Sequence, residues 1–212
     1  MFYAGTDPVT VGLVESFPRP GGRLTGVYSQ TTDLTGKRLE RLKMVPRLRR
    51  VVTFYNPDNP SARQSLMIGR DAARQLKVEV IERPVTSLEE LRAGLRALRP
   101  GEVDGYLHAS DASMTSYADV IVDALRAKRV PFILQDRESV VRGALASYGL
   151  SYYAGGRLVS KYVHRVLLGA NPADLPVEQM NRLLLVINLK TAKAMGLTIP
   201  PSLLARIDEI IE

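Results

Sequence analysis

Small polar side chains cluster at five points of the chain, each close to the end of an apolar run. The five stretches are AGTDP (4–8), NPDNPS (56–61), HASDAS (108–113), QDRES (135–139) and SYGLSYY (147–153). A carboxylate such as Asp136 can hold an ammonium group by charge-assisted hydrogen bonding, and a serine hydroxyl such as that of Ser61 can donate to a carboxylate. These residue types therefore predict contacts to the polar groups of a small molecule.

The stretch HASDAS holds His108, Ser110 and Asp111, which are the residue types of a hydrolytic triad. Triad residues act from separate elements, and neighbours within one loop fit that geometry poorly. The chain has two histidines and no cysteine. It also lacks paired metal-ligand spacing and the Gly-rich phosphate-binding motifs. The sequence therefore favours binding of a small molecule without catalysis, metal or cofactor, and a small-molecule hydrolase is the alternative.

Apolar runs alternate with amphipathic segments, which predicts an α/β fold with parallel sheets covered by helices on both faces. The predicted strands are 1–5, 21–29, 50–55, 77–83, 104–109, 130–135, 143–148 and 182–188; the predicted helices are 7–17, 36–44, 60–76, 88–98, 115–128, 137–142, 150–169, 189–195 and 201–211. Ligands of such sheets bind outside the carboxyl ends of the strands, so we expect the five stretches to share one site.

The candidate ligand-binding residues come from these stretches and from the strand before residue 30. They are Asp7, Tyr28, Ser29, Asn56, Asn59, Ser61, Ser110, Asp111, Gln135, Asp136, Ser147, Tyr148 and Tyr152. We expect the ligand carboxylate to meet Ser61 and the N-terminus of helix 60–76, although Asn59 or Ser61 could instead cap that helix. Tyr28, Tyr148 or Tyr152 could stack on an apolar ligand side chain, with ordinary packing as the alternative.

The 212 residues carry a net charge of +7, with the densest basic cluster at 37–50. No aromatic residues interleave its cations, so we interpret the cluster as a solvated helix face rather than a nucleic-acid patch. The N-terminus lacks the basic and apolar regions of a signal peptide, and no run reaches the roughly 20 apolar residues of a membrane span.

Five segments of the chain resemble the ABC-transporter substrate-binding proteins related to tryptophan/tyrosine-binding lipoproteins. They are DPVTVGLVESFPRPGGRLTGV, GKRLERLK, YNPDNPSA, GALASYGLSYYAGGRLVSKYVHRVLLGANPADLPVEQ and LVINLKTAKAMGLTIPPSLLARIDEII. The resemblance implies a type I periplasmic binding fold whose two lobes close on a ligand and deliver it to a membrane permease. We expect this ligand to be a small zwitterion, an amino acid with an aromatic or branched side chain. The resemblance also implies a place in the periplasm or cell envelope, or in the cytoplasm if the start of this chain is genuine. A ligand-sensing regulatory domain is the alternative, since sugar repressors share the lobed architecture.

The family layout implies that residues 1–28 and 146–170 form an incomplete lobe one. Residues 29–145 and 171–212 would form a complete lobe two, with hinge crossings near 29–30, 144–146 and 170–172. Helix 150–169 would then expose a set of apolar residues, namely Leu150, Val159, Val163 and Leu167. Such a surface predicts pairing of two copies in a homodimer.

Overall fold

The computed structural model describes residues 1–5, 7–29 and 31–212. The strands are β1 (Phe2–Ala4), β2 (Gly26–Tyr28), β3 (Arg50–Tyr55), β4 (Glu79–Pro84), β5 (Gly105–Leu107), β6 (Phe132–Leu134), β7 (Ala146–Leu150), β8 (Glu178–Gln179), β9 (Leu183–Asn188) and β10 (Glu209–Ile211). The helices are α1 (Leu34–Leu42), α2 (Pro60–Leu76), α3 (Leu88–Ala97), α4 (Ala112–Ser116), α5 (Ala118–Ala127), α6 (Arg137–Val141), α7 (Tyr152–Leu167), α8 (Leu189–Ala194) and α9 (Pro201–Leu204). The expected α/β fold class is confirmed.

The chain divides into two compact units. Unit 1 contains Met1–Thr31 and Leu150–Leu183, and unit 2 contains Thr32–Gly149 and Leu184–Glu212. The family layout instead assigned 171–182 to lobe two, but β8 pairs in parallel with β2 and so holds this segment in unit 1. The crossings expected at 144–146 and 170–172 lie inside unit 2 and unit 1, respectively. Residue 30 of the first expected hinge lies outside the described residues.

Unit 2 is built on a seven-stranded sheet with the order β10-β9-β7-β6-β5-β3-β4. Strand β3 pairs in parallel with β4 on one side and with β5 on the other. The strand order therefore reverses between β3 and β5, and the segments after these two strands open at that reversal. Crevices at such switch points are where doubly wound sheets bind ligands.

Side chains of the central strands alternate between two apolar layers, one on each face of the sheet. On β6, Phe132 and Leu134 enter the layer shared with α3 and α5. The intervening Ile133 enters the layer shared with α1 and α2. This alternation follows from the two-residue period of a strand, and it buries both faces of the sheet.

Unit 1 contains a smaller sheet of parallel strands with the order β1-β2-β8. Helix α7 packs on it through Gly155 and Tyr162, its buried residues. The Tyr162 hydroxyl donates to Pro176 O at 2.6 Å and contacts Glu178 of β8 at 2.8 Å, which fixes the helix against that strand.

Two predicted helices at the ends of the chain are wrong. Residues 8–12 form turns, because Gly12 adopts φ +73° and ends the helical winding that begins at Asp7. The predicted helix 201–211 stops at Leu204, and Glu209–Ile211 instead form β10 in parallel with β9. An edge strand docked on a distant strand gives no local sequence signal, so the helical periodicity of PSLLARIDEII was misleading.

Candidate functional site

Asp111 joins the segment after β5 to the segment after β3. The residue is 2% exposed. Its Oδ2 accepts a hydrogen bond from Asn56 N at 2.6 Å, and its Oδ1 accepts from Asn59 Nδ2 at 3.1 Å and from Ser113 N at 2.9 Å. One buried carboxylate therefore holds both segments at the point where the strand order reverses.

The N-terminus of α2 is capped by Asn59, as the alternative interpretation of the sequence predicted. Asn59 Oδ1 accepts from Ser61 N at 3.0 Å, while the amide nitrogen of the same side chain donates to Asp111. Asn56 Oδ1 accepts from Asp58 N at 2.9 Å and closes the turn before the helix. The Ser61 hydroxyl lies in the first turn of α2, on a partly exposed residue.

Arg38 of α1 is a buried cation at the carboxyl edge of the sheet. The side chain is 0% exposed. Its Nε donates to Tyr148 O at 2.9 Å, and its Nη1 donates to Ser110 Oγ at 3.3 Å and to His108 O at 3.4 Å. The guanidinium thus links the segment after β5 to β7, and it places positive charge behind Ser110.

The interpretation of 37–50 as a solvated helix face is wrong for Arg38. Leu34, Arg38 and Leu42 follow one another at intervals of four residues and so share one face of α1. Both leucines are buried, and Arg38 is buried with them. The periodicity of the apolar residues therefore contained the signal for this residue.

Ser110 is also fixed from its backbone. Ser110 N donates to Ser65 Oγ of α2 at 2.9 Å, and Ser65 Oγ lies 2.5 Å from Thr35 Oγ1 of α1. Ser65 and Thr35 are fully buried. Hydroxyl groups of α1 and α2 thereby fix the position of the segment after β5.

His108 lies in a buried polar chain that continues to Gln135 after β6. Its Nδ1 is 3.2 Å from the Tyr106 hydroxyl, and its Nε2 is 3.4 Å from Thr115 Oγ1. Thr115 donates its proton to Asp111 O at 2.8 Å and accepts from Gln135 Nε2 at 2.7 Å. Thr115 is thus an acceptor towards His108, so the neutral ring carries its proton on Nε2.

Burial, together with the charge of Arg38, lowers the pKa of His108 to about 3. This value lies below the ordinary value of about 6.5, so the unfolded chain takes up a proton before the folded chain does as the pH falls. We expect the free energy of unfolding to decrease by about 2 kcal/mol between pH 8 and pH 5 from this residue alone. Urea unfolding at both pH values measures the change.

A His108→Gln variant should lose this part of the pH dependence. His164→Gln removes the only other histidine, at an exposed position of α7, and serves as the matched control. Equal pH dependence of wild-type protein and His108→Gln would contradict the assignment of a neutral buried ring.

Asp136 follows Gln135 and caps α6. Its Oδ1 accepts from Ser139 N at 2.8 Å, and both carboxylate oxygens lie 2.9 Å from Ser139 Oγ. A carboxylate has about four lone-pair sites, so this capping leaves acceptor capacity for a ligand ammonium group. Gln135 is 7% exposed, and its amide is oriented by Thr115.

Ser147 and Tyr148 lie within β7, which begins at Ala146 and ends at Leu150 rather than spanning the predicted 143–148. Ser147 and Leu150 are buried, so Leu150 is not part of the exposed apolar surface predicted for the helix that follows. The Tyr148 ring packs against the apolar layer on the α1 side, with the Arg41 guanidinium 5.2 Å from its centroid. Packing therefore accounts for the position of the Tyr148 ring.

The remaining candidates belong to unit 1. Asp7 Oδ1 accepts from Val9 N at 2.8 Å and Thr10 N at 3.1 Å and closes a turn. Tyr28 is buried, with its ring centroid 5.1 Å from that of Phe17. Buried Ser29 bonds to Ala4 O through its N–H, and Tyr152 is exposed at the start of α7. Contact of these four residues with a ligand stays a prediction.

The hydrogen bonds of the triad candidates lead to different partners. His108 contacts Tyr106 and Thr115, while Asp111 accepts from amide groups of Asn56, Asn59 and Ser113. Within residues 1–5, 7–29 and 31–212, no bond joins His108 to Ser110, and no acidic or histidine cluster could hold a metal ion. In the same residues, no helix is long and apolar enough to cross a bilayer.

Known proteins that are similar to this chain agree with the resemblance found in its sequence. A family model described as ABC transporter substrate binding protein matches residues 1–211. A tyrosine-binding protein of Clostridioides difficile (strain R20291) is 28% identical over 197 residues, which are 92% of this chain and 56% of that protein. The chain thus spans little more than half the length of this relative.

Solved structures show the same fold. A domain from Streptococcus pneumonia in complex with L-Trp has 26% identity and a TM-score of 0.83, over 97% of this chain and 71% of the other. A ligand-free, open substrate binding protein with adhesive properties from Clostridium difficile has 23% identity and a TM-score of 0.69, over 99% and 70% of the two chains. The type I periplasmic binding fold expected from the sequence is confirmed.

Proposed function

Because the chain belongs to the ABC transporter substrate-binding protein family, we propose that it binds an amino acid without turnover and supplies it to a membrane permease. The observation that carries the proposal is the junction at Asp111, which holds the segments after β3 and β5 together where the strand order reverses. A sheet edge whose polar groups are already held in place suits recognition of a small ligand. The relatives described as tyrosine-binding and as bound to L-Trp favour an aromatic amino acid.

Each polar group of the ligand has a proposed partner in unit 2. The carboxylate meets the Ser61 hydroxyl and the positive end of the α2 dipole, since Asn59 already occupies Ser61 N. The ammonium group donates to the carboxylate of Asp136, which keeps acceptor sites beyond those used to cap α6. Gln135, whose amide is held by Thr115, precedes Asp136 in the chain. A clamp closed by a second lobe stays a prediction from the resemblance.

Binding can be measured through the ligand itself. The chain contains no tryptophan, so the indole fluorescence of added L-tryptophan reports binding without an indole signal from the protein. We expect saturable binding of L-tryptophan or L-tyrosine and much weaker binding of L-tryptophanamide, which lacks the carboxylate. Ser61→Ala should weaken binding about 10-fold or more, the effect of one hydrogen bond to a charged group.

A matched control separates this effect from a general disturbance of the edge. Ser116→Ala removes an exposed hydroxyl that bonds to Ala112 O within α4, and it should leave affinity unchanged. Incubation with amino-acid esters and amides tests the hydrolase alternative. Turnover that Ser110→Ala abolishes would overturn the binding proposal, as would the absence of binding to every amino acid tested.

The family also bears on location. Substrate-binding proteins of ABC transporters are usually extracellular or periplasmic, and we propose the periplasm or cell envelope for this protein. A permease in the adjacent membrane is then the partner that receives the ligand. Fractionation of cells that express the native gene tests this location, and a purely cytoplasmic protein would contradict it.

A further inference from the structure

The two edges of the sheet in unit 2 carry opposite charges. The connections from a helix to the next strand, namely 43–49, 77–78, 98–104, 128–131 and 142–145, lie where the parallel strands begin, at the amino edge. They carry two acidic residues, Glu102 and Asp104, and eight cations: Lys43, Arg47, Arg49, Lys77, Arg99, Lys128, Arg129 and Arg142. The connections from a strand to the next helix, namely 56–59, 85–87, 108–111 and 135–136, carry three aspartates and no lysine or arginine. Positive charge is therefore concentrated at the amino edge, opposite the edge proposed for the ligand.

The cations of the amino edge are accessible. All eight are exposed. Of these eight, Arg142 alone forms an ion pair with a carboxylate of the described residues, that of Asp119. The carboxylates of Glu102 and Asp104 accept hydrogen bonds from backbone N–H groups of the same edge. The edge therefore has an excess of positive charge whose counterions come from outside the chain.

A cleft between α5 and α8 adds cations to the same edge. Asn188 N, at the end of β9, donates to Leu145 O at 3.0 Å, so α8 begins beside the start of β7. Thr191 Oγ1 of α8 donates to Gly143 O at 3.1 Å and fixes the helix there. The cleft has a volume of about 510 Å³. Its charged lining consists of Arg126, Arg129, Lys190 and Asp123.

The amino edge is the end of unit 2 away from its connections to unit 1. The chain enters and leaves unit 2 at Thr32, Gly149 and Leu184. Thr32 lies before α1, whose far end leads to the start of β3, and Gly149 lies near the carboxyl end of β7. Leu184 lies near the start of β9, the strand whose other end meets the start of β7. All three connections are therefore at the carboxyl edge.

We propose that the amino edge of unit 2 binds the anionic headgroups of a lipid membrane, with one headgroup phosphate in the cleft between α5 and α8. Cations spread over several short loops suit a broad anionic surface. The five connections contain no aromatic residue on which a nucleotide base could stack. Headgroups are the adjacent polyanion at the cell envelope, so this inference rests on the proposed location. Contact at the amino edge leaves the carboxyl edge of unit 2 turned away from the lipid.

Sedimentation with lipid vesicles measures this binding without an amino-acid ligand. We expect the chain to bind vesicles that contain phosphatidylglycerol and to stay in solution with vesicles of phosphatidylcholine alone. At about 1 M salt the Debye length falls to about 3 Å, so binding should be lost. Failure to bind the anionic vesicles at low salt, or equal binding to both kinds of vesicle, would overturn the proposal. Tighter binding of a DNA duplex than of the anionic vesicles would overturn it too.

Charge reversal in the cleft tests the position of the contact. A triple variant with Arg126→Glu, Arg129→Glu and Lys190→Glu should bind anionic vesicles about 100-fold or more weakly. Glutamine at the same three positions should give a smaller loss. All three side chains are exposed, and circular dichroism verifies that the variants fold.

The matched control applies the same change of charge at exposed positions elsewhere. A variant with Arg92→Glu, Arg157→Glu and Arg165→Glu should keep most of the vesicle binding. Equal losses in the two glutamate variants would show that net charge alone attracts the chain, and would overturn the assignment to the amino edge. A chain that binds anionic vesicles but no amino acid would contradict the proposed ligand and support this surface.

Discussion

Replacement of Asp111 by alanine is expected to lower the free energy of unfolding by about 3 to 5 kcal/mol. The carboxylate is buried and accepts from Asn56 N, Asn59 Nδ2 and Ser113 N. Alanine leaves these donors without their acceptor at a buried position. Urea unfolding followed by circular dichroism measures the loss.

Asp58→Ala is the matched control, because it removes an exposed carboxylate from the same loop. Exposed substitutions of this kind usually change stability by less than about 0.5 kcal/mol. Asp111→Asn retains one acceptor oxygen and should fall between the two variants. If the free energy of unfolding of Asp111→Ala lay within about 1 kcal/mol of the wild-type value, the carboxylate would not hold the two segments together.

The elements that form the site were predictable where local signals agree. The bounds of β3 and α2 match the prediction, because a β-branched run precedes Asn59 and Pro60, which supply a cap and a first helical residue. Ser87 Oγ accepts from Glu90 N and caps α3, as a Ser-x-x-Glu spacing favours. These features depend only on neighbours in the sequence.

The contacts of the site were less predictable, because they join distant segments. The sequence marked Asn56, Asn59 and Asp111 as candidates, but it gave no indication that Asp111 bonds to both asparagines. Arg38 was missed although its helical phase matches that of its leucine neighbours. A burial prediction for a cation needs the acceptors around it, which here come from residues 70 to 110 positions away.

Replacement of Gly149 by alanine is expected to lower the free energy of unfolding by about 3 kcal/mol or more. Strand β7 passes so close to the end of β6 that a Cβ on Gly149 would lie 1.9 Å from Gln135 O and 2.9 Å from Gln135 C. Both are backbone atoms, so the clash is relieved only if one strand moves. That movement would displace Gln135 and Asp136, and we therefore expect ligand affinity to fall with stability.

Gly22→Ala is the matched control for Gly149→Ala. Nothing lies within 4 Å of a Cβ at Gly22, and its φ is not positive. Alanine there should be neutral or slightly stabilising, because it restricts the unfolded chain. Urea unfolding and tryptophan titration of both variants separate a steric effect at the β6–β7 contact from the general effect of a lost glycine. A Gly149→Ala protein with the stability and affinity of Gly22→Ala would show that the two strands can separate without cost, and that residues 135 and 136 do not depend on their contact.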